Sequence, residues 1–466
     1  MSNLRTSWRL RGLAPAVLAA FGLLVPGGAV RGQAALDGNA VAVRADAWLK
    51  AYHAAGDFSG VVLLAQGDKI LFEKAYGSSD PQVGTPNRPQ TQFRGASLSK
   101  TFTAAAIEKL VAGGKLRYAD ALSRYLSGIP NGDTITIEQL LLHTSGVGVL
   151  DSPEIYRECL NHAEILQRIG ASKPRFAPGK GDAYSNEGYF LLAAVVERVS
   201  GISYNEFLRN EIFVPLQMKN SATACRDLPE GSAFGAVATA AAAKIRPVPF
   251  NESALDGAGS VYSNAEDLLR WLRAVDTNPA FAVDKLKYPY GWGKRKYSSY
   301  DLIEQSGQLA GFNAHIALYP KQHIYAVVLS NIESGFAQRV PLDLEAVLFG
   351  GAVSQPPVVG TEVLGDRSMK QYIGRYHSKE TPYTQTLEIH DGQLVMHWGD
   401  DPFSRELAMT DGDTFFVRAD YGVVHFVRGE DGFVHRMTWN WPGGSHLTLE
   451  KDEVTGSPVP TVPDEQ

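Results

Sequence analysis

The chain has 466 residues, and single hydrophobic cores stop growing beyond about 250–300 residues, so two compact units are expected. Hydrophobic residues make up 44% and charged residues 20%, a globular balance that argues against a disordered chain, and a net charge of −6 leaves no excess of Lys and Arg for a nucleic-acid partner. Two cysteines, Cys159 and Cys225, exclude a disulfide scaffold and a cysteine zinc cluster; the eleven scattered histidines form no metal-ligating pair, so no metal or organic cofactor is expected.

Arg5, Arg9 and Arg11 precede an apolar run from 13 to about 25, and small residues follow to Ala34. This pattern predicts a secretory signal over residues 1–34, and hence a periplasmic or secreted protein. Pro15 and Pro26 interrupt a run already shorter than the roughly 20 residues of a span, so no stable membrane span is expected after cleavage. Export permits Cys159 to pair with Cys225; two free buried cysteines fit equally. Residues 58–64, the Gly67-Asp68 turn and residues 69–72 read as an antiparallel hairpin. A helix is predicted from Lys100 to about Leu110, stopped by Gly113-Gly114, with further helices over 187–199 and 266–275. Strands return at 314–318 and 324–329. The fold class is therefore α+β, one antiparallel sheet with helices packed against it, over residues 35–352. Residues 353–366, with Pro356-Pro357, read as a linker. Over 367–453, short strands alternate with turns such as Asp391-Gly392 and Asp431-Gly432, which predicts an antiparallel meander or small barrel. The polar, Pro-rich residues 454–466 read as a disordered tail.

Three motifs carry chemistry. Ser97-Leu98-Ser99-Lys100 places Ser97 and Lys100 one helical turn apart on one face. About one Ser-x-x-Lys is expected by chance at this length, so its setting at a helix start matters more than its spacing. A partly desolvated lysine can take the proton of a serine hydroxyl. Ser99 is a rival nucleophile with no lysine three residues on. Tyr-x-Asn occurs as Tyr184-Ser185-Asn186 and as Tyr262-Ser263-Asn264. The second copy reads as a capping box, with Ser263 at the N-cap and Glu266 at the third position. The first follows a Pro178-Gly179 turn, and a cation near Tyr184 would lower its phenol and make it a base.

With these motifs the chain resembles the serine β-lactamase and penicillin-binding-protein superfamily, in its class C-like esterase and D-peptidase branch. The resemblance covers about 58 to 331 and includes Phe58-Ser59-Gly60, His143-Thr144-Ser145-Gly146, Pro178-Gly179 before Tyr184-Ser185-Asn186, Phe213-Val214-Pro215-Leu216, and Gly311-Phe312 before Tyr319-Pro320. It implies an all-helical subdomain beside the sheet. It also implies Ser97 as acyl-accepting nucleophile, Lys100 as its proton partner, Tyr184 as base and then acid, and Asn186 as a donor to substrate. The oxyanion would sit between the backbone N–H groups of Ser97 and Gln308 on the edge strand. The residues after 367 resemble the lipocalin-like extensions behind such hydrolases, where they shape the cleft, bind ligand or mediate self-association.

The third motif departs from the family. Gln305-Ser306-Gly307 stands where Lys-Thr-Gly or His-x-Gly is expected. Gly307 keeps the close backbone approach. Gln305 removes the cation that meets a substrate carboxylate, unless Lys294 or Arg295 replaces it. A charged hydrogen bond is worth about 1.5–3 kcal/mol against about 1 for a neutral one. Gln305, Ser306, Gly307 and Gln308 remain the substrate-binding candidates. The reading favours a small ester or D-amino-acid peptide as substrate, over a β-lactam or D-Ala-D-Ala, and over a penicillin-binding sensor without turnover. His143 reads as structural, since a Ser-His triad needs an orienting acid. Tyr288, Tyr290 and Trp292 fit either a cleft wall or the core. Nothing in the sequence specifies an oligomeric state.

Overall fold

The computed structural model describes residues 36–150, 160–223, 231–238, 245–247, 253–281, 290–297, 300–358, 369–379, 384–398, 405–442 and 444–452. The segments read as export signal and tail, both cysteines, Tyr288 and the later part of the linker lie outside them.

Strand Gly60–Gln66 pairs antiparallel with strand Lys69–Tyr76, closing the expected hairpin at Gly67-Asp68. It also pairs with strand Ile324–Ser330, with Val62 opposite Val328. Strands Gly293–Tyr297, Tyr300–Leu309 and Phe312–Tyr319 complete a six-stranded antiparallel sheet. Strand Ile324–Ser330 is buried throughout, which is why its sequence is a continuous apolar run rather than an alternation. Alternate residues divide between two cores. Val61 and Leu63 join Phe102, Leu192 and Trp271 from helices Ser99–Ala112, Asn186–Ser200 and Ala265–Thr277. Val62 and Leu64 face the other way, onto Trp48 and Tyr52 of helix Gly38–Ala54 and Val340 and Val347 of helix Phe336–Phe349.

The helix predicted at 266–275 spans Ala265–Thr277, and its cap lies one residue later than expected. Asn264, not Ser263, is the N-cap and accepts from the Asp267 N–H at 2.9 Å. Ser263 instead meets the Ser221 hydroxyl at 2.7 Å. Tyr262 lies in a short strand, Val261–Ser263, bonded to residues 93–94 and 222–223, so this second Tyr-x-Asn is structural.

The C-terminal unit is a closed barrel of eight strands in chain order, from Gly374–His377 to His446–Lys451, sealed by Tyr376 opposite Lys451. Eight strands leave an interior just wide enough for side chains. Tyr376, Met396, Phe415, Phe426, Met437 and Trp439 belong to the buried hydrophobic cluster of this unit. The barrel sits firmly on the first unit. Phe416 and Tyr421 join the core under helix 336–349. A Cβ on Gly335 would stand 2.2 Å from the Tyr421 ring. Between the two units, Arg418 Nε and Nη2 meet the Asp57 carboxylate at 2.7 and 2.9 Å, with both side chains buried. Burial pushes the Asp57 carboxyl up and Arg418 pulls it down.

Removing one member of such a pair strands a buried charge and costs about 3–5 kcal/mol. Arg418→Met should lower stability by that amount in urea unfolding followed by tryptophan fluorescence. Adding Asp57→Asn should recover part of it. An unchanged midpoint in the single variant would show that the pair does not hold the units together.

Candidate active site

Ser97 lies in the turn Ala96–Leu98 that leads into helix 99–112. Ala96 has φ +49°, a left-handed conformation uncommon for a residue with a Cβ, and it turns the chain sharply just before the hydroxyl. The turn is held from both sides. The Gly95 N–H donates to Val261 O at 2.8 Å. Ser99 Oγ donates to Ala96 O at 2.7 Å and accepts from the Val261 N–H at 2.9 Å. Ser99 is fully buried in that task, which removes it as a rival nucleophile.

Lys100 follows three residues later and points back along the same face. Its Nζ stands 3.2 Å from Ser97 Oγ, 2.9 Å from Asn186 Oδ1 and 2.9 Å from Ala258 O. The side chain is 1% exposed, and none of these three partners carries a charge. Burial pushes the amine down to about 7, with Glu187 pulling the other way. The two carbonyl oxygens take two N–H groups. The third direction, toward Ser97, holds a proton in the ammonium and a lone pair in the free amine. Ala258 is a partner that sequence reasoning missed. Its signal was the small-residue run 257–259, where Gly257 (φ +75°) packs so close to Tyr189 O that a Cβ would stand 2.3 Å from it.

Tyr184 Oη is 2.6 Å from Ser97 Oγ. Ser185 caps helix 186–200 by accepting from the Gly188 N–H, so Asn186 opens that helix with its side chain beside Lys100. The expectation that a neighbouring cation lowers the Tyr184 phenol is not met. Desolvation pushes it up to about 12, with the Ser97 hydrogen bond pulling down, although half of the side chain faces solvent. Lys100 Nζ lies 4.6 Å from the Tyr184 ring centre and 5.4 Å from that of Tyr189, over π-faces rather than beside the phenol oxygen. His143 is structural, as expected. Its Nδ1 accepts from the Ser185 N–H at 3.0 Å, and its ring lies 4.6 Å from that of Tyr184. Burial and then Lys100 push the imidazole down to about 4, so it stays neutral and aligns the tyrosine loop.

Strand 300–309 brings the third motif alongside. Gln305 Nε2 donates to Ser97 O at 3.2 Å. A Cβ on Gly307 would fall 2.3 Å from Gly95 O and 2.9 Å from Ser97 N, so only glycine lets the strand approach the nucleophile turn. Gln308 lines the same cleft. Ser306 lies on the opposite face of the strand and meets His315 Nδ1 at 2.9 Å. Neither substitute cation serves the cleft. Arg295 holds Glu304 at 2.8 and 3.2 Å and Glu345 at 3.1 Å, and Lys294 lines a separate groove with Val275 and Ile303. Tyr290 and Trp292 are buried; Tyr290 donates to Glu138 at 2.8 Å and Trp292 stacks on Trp271, so both belong to the core.

The family profile described as Beta-lactamase matches residues 45–348. The chain belongs to this family of β-lactamase and penicillin-binding-protein-like serine hydrolases. Residues 364–457 match a second profile, described as Domain of unknown function (DUF3471). Penicillin-binding protein 4* of Bacillus subtilis is 28% identical over 414 residues, covering 80% of this chain and 91% of that protein. The penicillin-binding protein from Bacillus halodurans superposes with a TM-score of 0.56 at 29% identity, over 66% of this chain and 98% of that one. A D-amino acid amidase from Ochrobactrum anthropi, solved with L-phenylalanine amide, shares the fold with a TM-score of 0.59 at 23% identity, over 67% and 97% of the two chains.

A methyl group at Gly307 has to displace either the strand or the Ser97 turn. A misplacement of about 1 Å costs roughly 100-fold in rate. Gly307→Ala should therefore lose about that factor in acylation of Ser97 while its far-UV circular dichroism is unchanged. Full activity in this variant would contradict the close packing of strand and nucleophile.

Proposed function

We propose that this chain is an exported serine hydrolase that cleaves a small ester or a D-amino-acid peptide through an acyl-enzyme on Ser97. The observation that carries this reading is the Ser97 hydroxyl held 3.2 Å from a lysine amine that burial brings to about 7. Lys100, as the free amine, takes the Ser97 proton while Oγ attacks the acyl carbon. The backbone N–H groups of Ser97 and Gln308 receive the carbonyl oxygen. The bond to the leaving group breaks as Tyr184 Oη, 2.6 Å from the nucleophile, gives that group a proton. The proton on Lys100 then passes to the tyrosinate and restores both groups. Water attacks the acyl carbon, loses its proton to Lys100, and Ser97 leaves with that proton. Lys100 rather than Tyr184 is the first base here, because the phenol lies near 12 and the amine near 7. Asn186 holds the amine in place and positions it for this exchange.

Substrate choice follows from Gln305. Its amide is neutral and already spent on Ser97 O, and among the described residues no lysine or arginine lines the cleft besides Lys100, buried behind Ser97. A substrate without the carboxylate of a β-lactam or of D-Ala-D-Ala suits such a cleft. The amidase that shares this fold, named for D-amino acid amides, supports the same direction. The relatives named as penicillin-binding proteins favour one second reading, stable acylation without release.

A fluorophosphonate probe should label Ser97, and Ser97→Ala should abolish labelling; a label that survives would refute the nucleophile. Short-chain p-nitrophenyl esters should turn over faster than chromogenic cephalosporins, and efficient cephalosporin hydrolysis would restore the β-lactamase reading. Acylation needs Lys100 unprotonated, so kcat/KM should fall about tenfold per pH unit below about 7 and level off above it. A profile flat to pH 5 would exclude Lys100 as the base.

A further inference from the structure

The cleft at Ser97 and Tyr184 does not end at the sheet. Strand 293–297 pairs with strand 300–309 only as far as Gly293 opposite Glu304, so among the described residues no strand pairs with the edge from Gln305 onward on that side. Around this edge the cleft continues as one cavity of about 640 Å³ to the opposite face, where the start of helix 336–349 covers it.

Among the polar groups on that far face, which include the amides of Gln308 and Gln338, Ser306 and Asn313 offer acceptors. Ser306 Oγ meets His315 Nδ1 at 2.9 Å, and His315 Nε2 stands 3.6 Å from Glu304 Oε2. Burial pushes His315 down to about 4, so the ring is neutral and carries one proton. Placing that proton on Nε2, the nitrogen nearer the Glu304 carboxylate, makes Nδ1 an acceptor. Ser306 therefore donates to His315, and its exposed oxygen is left with lone pairs only. Asn313 repeats the pattern. Its Nδ2 donates to Ile332 O at 2.9 Å, which fixes the amide orientation and leaves Oδ1 without a partner among the described residues, in a side chain 6% exposed. Val340 and Pro341 form an apolar wall. An unpaired acceptor at this depth is costly unless something donates to it.

We propose that this far-face cavity is a subsite for an amine-bearing side group of the substrate, whose N–H groups donate to Ser306 Oγ and Asn313 Oδ1 while its carbon chain lies on Val340 and Pro341. The inference rests on Ser97 as the reacting centre and extends it. A peptide-like substrate laid along this edge puts successive side groups on opposite faces of the sheet. The group beside the reacting carbonyl then reaches the far face. Where the family pattern has a cation for a carboxylate, this chain has acceptors for an amine.

Binding to the Ser97→Ala protein tests this without turnover. The probes are N-acetyl-D-lysine amide, N-acetyl-D-norleucine amide and N-acetyl-D-2-aminoadipic acid amide, titrated by calorimetry. The lysine compound should bind about tenfold more tightly than the norleucine compound, the factor of one charge-assisted hydrogen bond, and the aminoadipate should bind weakest. Ser306→Ala, at an exposed position, and Asn313→Ala should each bring the lysine-to-norleucine ratio toward one. Equal binding of all three, tighter binding of the aminoadipate, no binding of any, or a ratio unmoved by both variants would overturn the subsite. Hydrolysis of p-nitrophenyl esters by the unaltered protein reads the Ser97 assignment separately, so failure of one is distinguishable from failure of the other.

Discussion

The site depends on one physical fact, a lysine amine taken out of water with only neutral partners around it. Lys100 meets a hydroxyl, an amide oxygen and a backbone carbonyl, each within 3.2 Å, and among the described residues no carboxylate in direct contact. Had Glu187 reached it, the ammonium would be stabilised and useless as a base. Glu187 is instead occupied with Ser185 Oγ and the Leu150 N–H, at 3.1 and 3.0 Å, and acts on Lys100 only from a distance. The cost of burying the amine is thereby converted into basicity near neutral pH.

Everything around that amine serves to keep water out and the serine in. Helix 99–112 supplies both groups from one face, helix 186–200 supplies Asn186 at its first turn, and the small residues at 257–259 bring a carbonyl within reach. The sheet closes the remaining side through Gly307. The barrel acts further out. Its Arg405 meets Glu333 at 3.2 Å, and Glu333 accepts from the N–H of Gly311, in the turn that follows strand 300–309. The second unit is thus coupled to the strand that forms the cleft edge, in addition to its buried Arg418–Asp57 pair.

Much of this was legible because it is local. Ser97 and Lys100 share a face by helical spacing, Ser185 caps its own helix, and Gly67-Asp68 carries the turn chemistry of a hairpin, which His323 O and the Arg273 guanidinium then brace. What the sequence hides is long-range. Arg295 looked like a replacement cation until its partners, Glu304 and Glu345, came from other elements. The Tyr184 phenol rises because of desolvation, which no spacing reveals. Helix 336–349 carries Pro341 in its interior, a residue that reads as a break. Barrel strands Gly374–His377, Arg405–Asp411 and His446–Lys451 carry too many polar residues to stand out, although the turns between their neighbours did. The cap at Asn264 rather than Ser263 shows how a one-residue choice between two good caps is decided by tertiary contact, here Ser221 claiming Ser263.

The central claim is that Lys100 is a free amine near neutral pH, and direct titration reads it most plainly. Lysine labelled with ¹³C at Cε and ¹⁵N at Nζ, with Lys100 assigned by comparison with Lys100→Arg, gives its protonation by NMR across pH 5 to 11. A midpoint near 7, about three units below ordinary lysines, is the result this account requires. A midpoint at the ordinary value near 10.5 would mean that the ammonium persists at Ser97 and that the proton must go elsewhere.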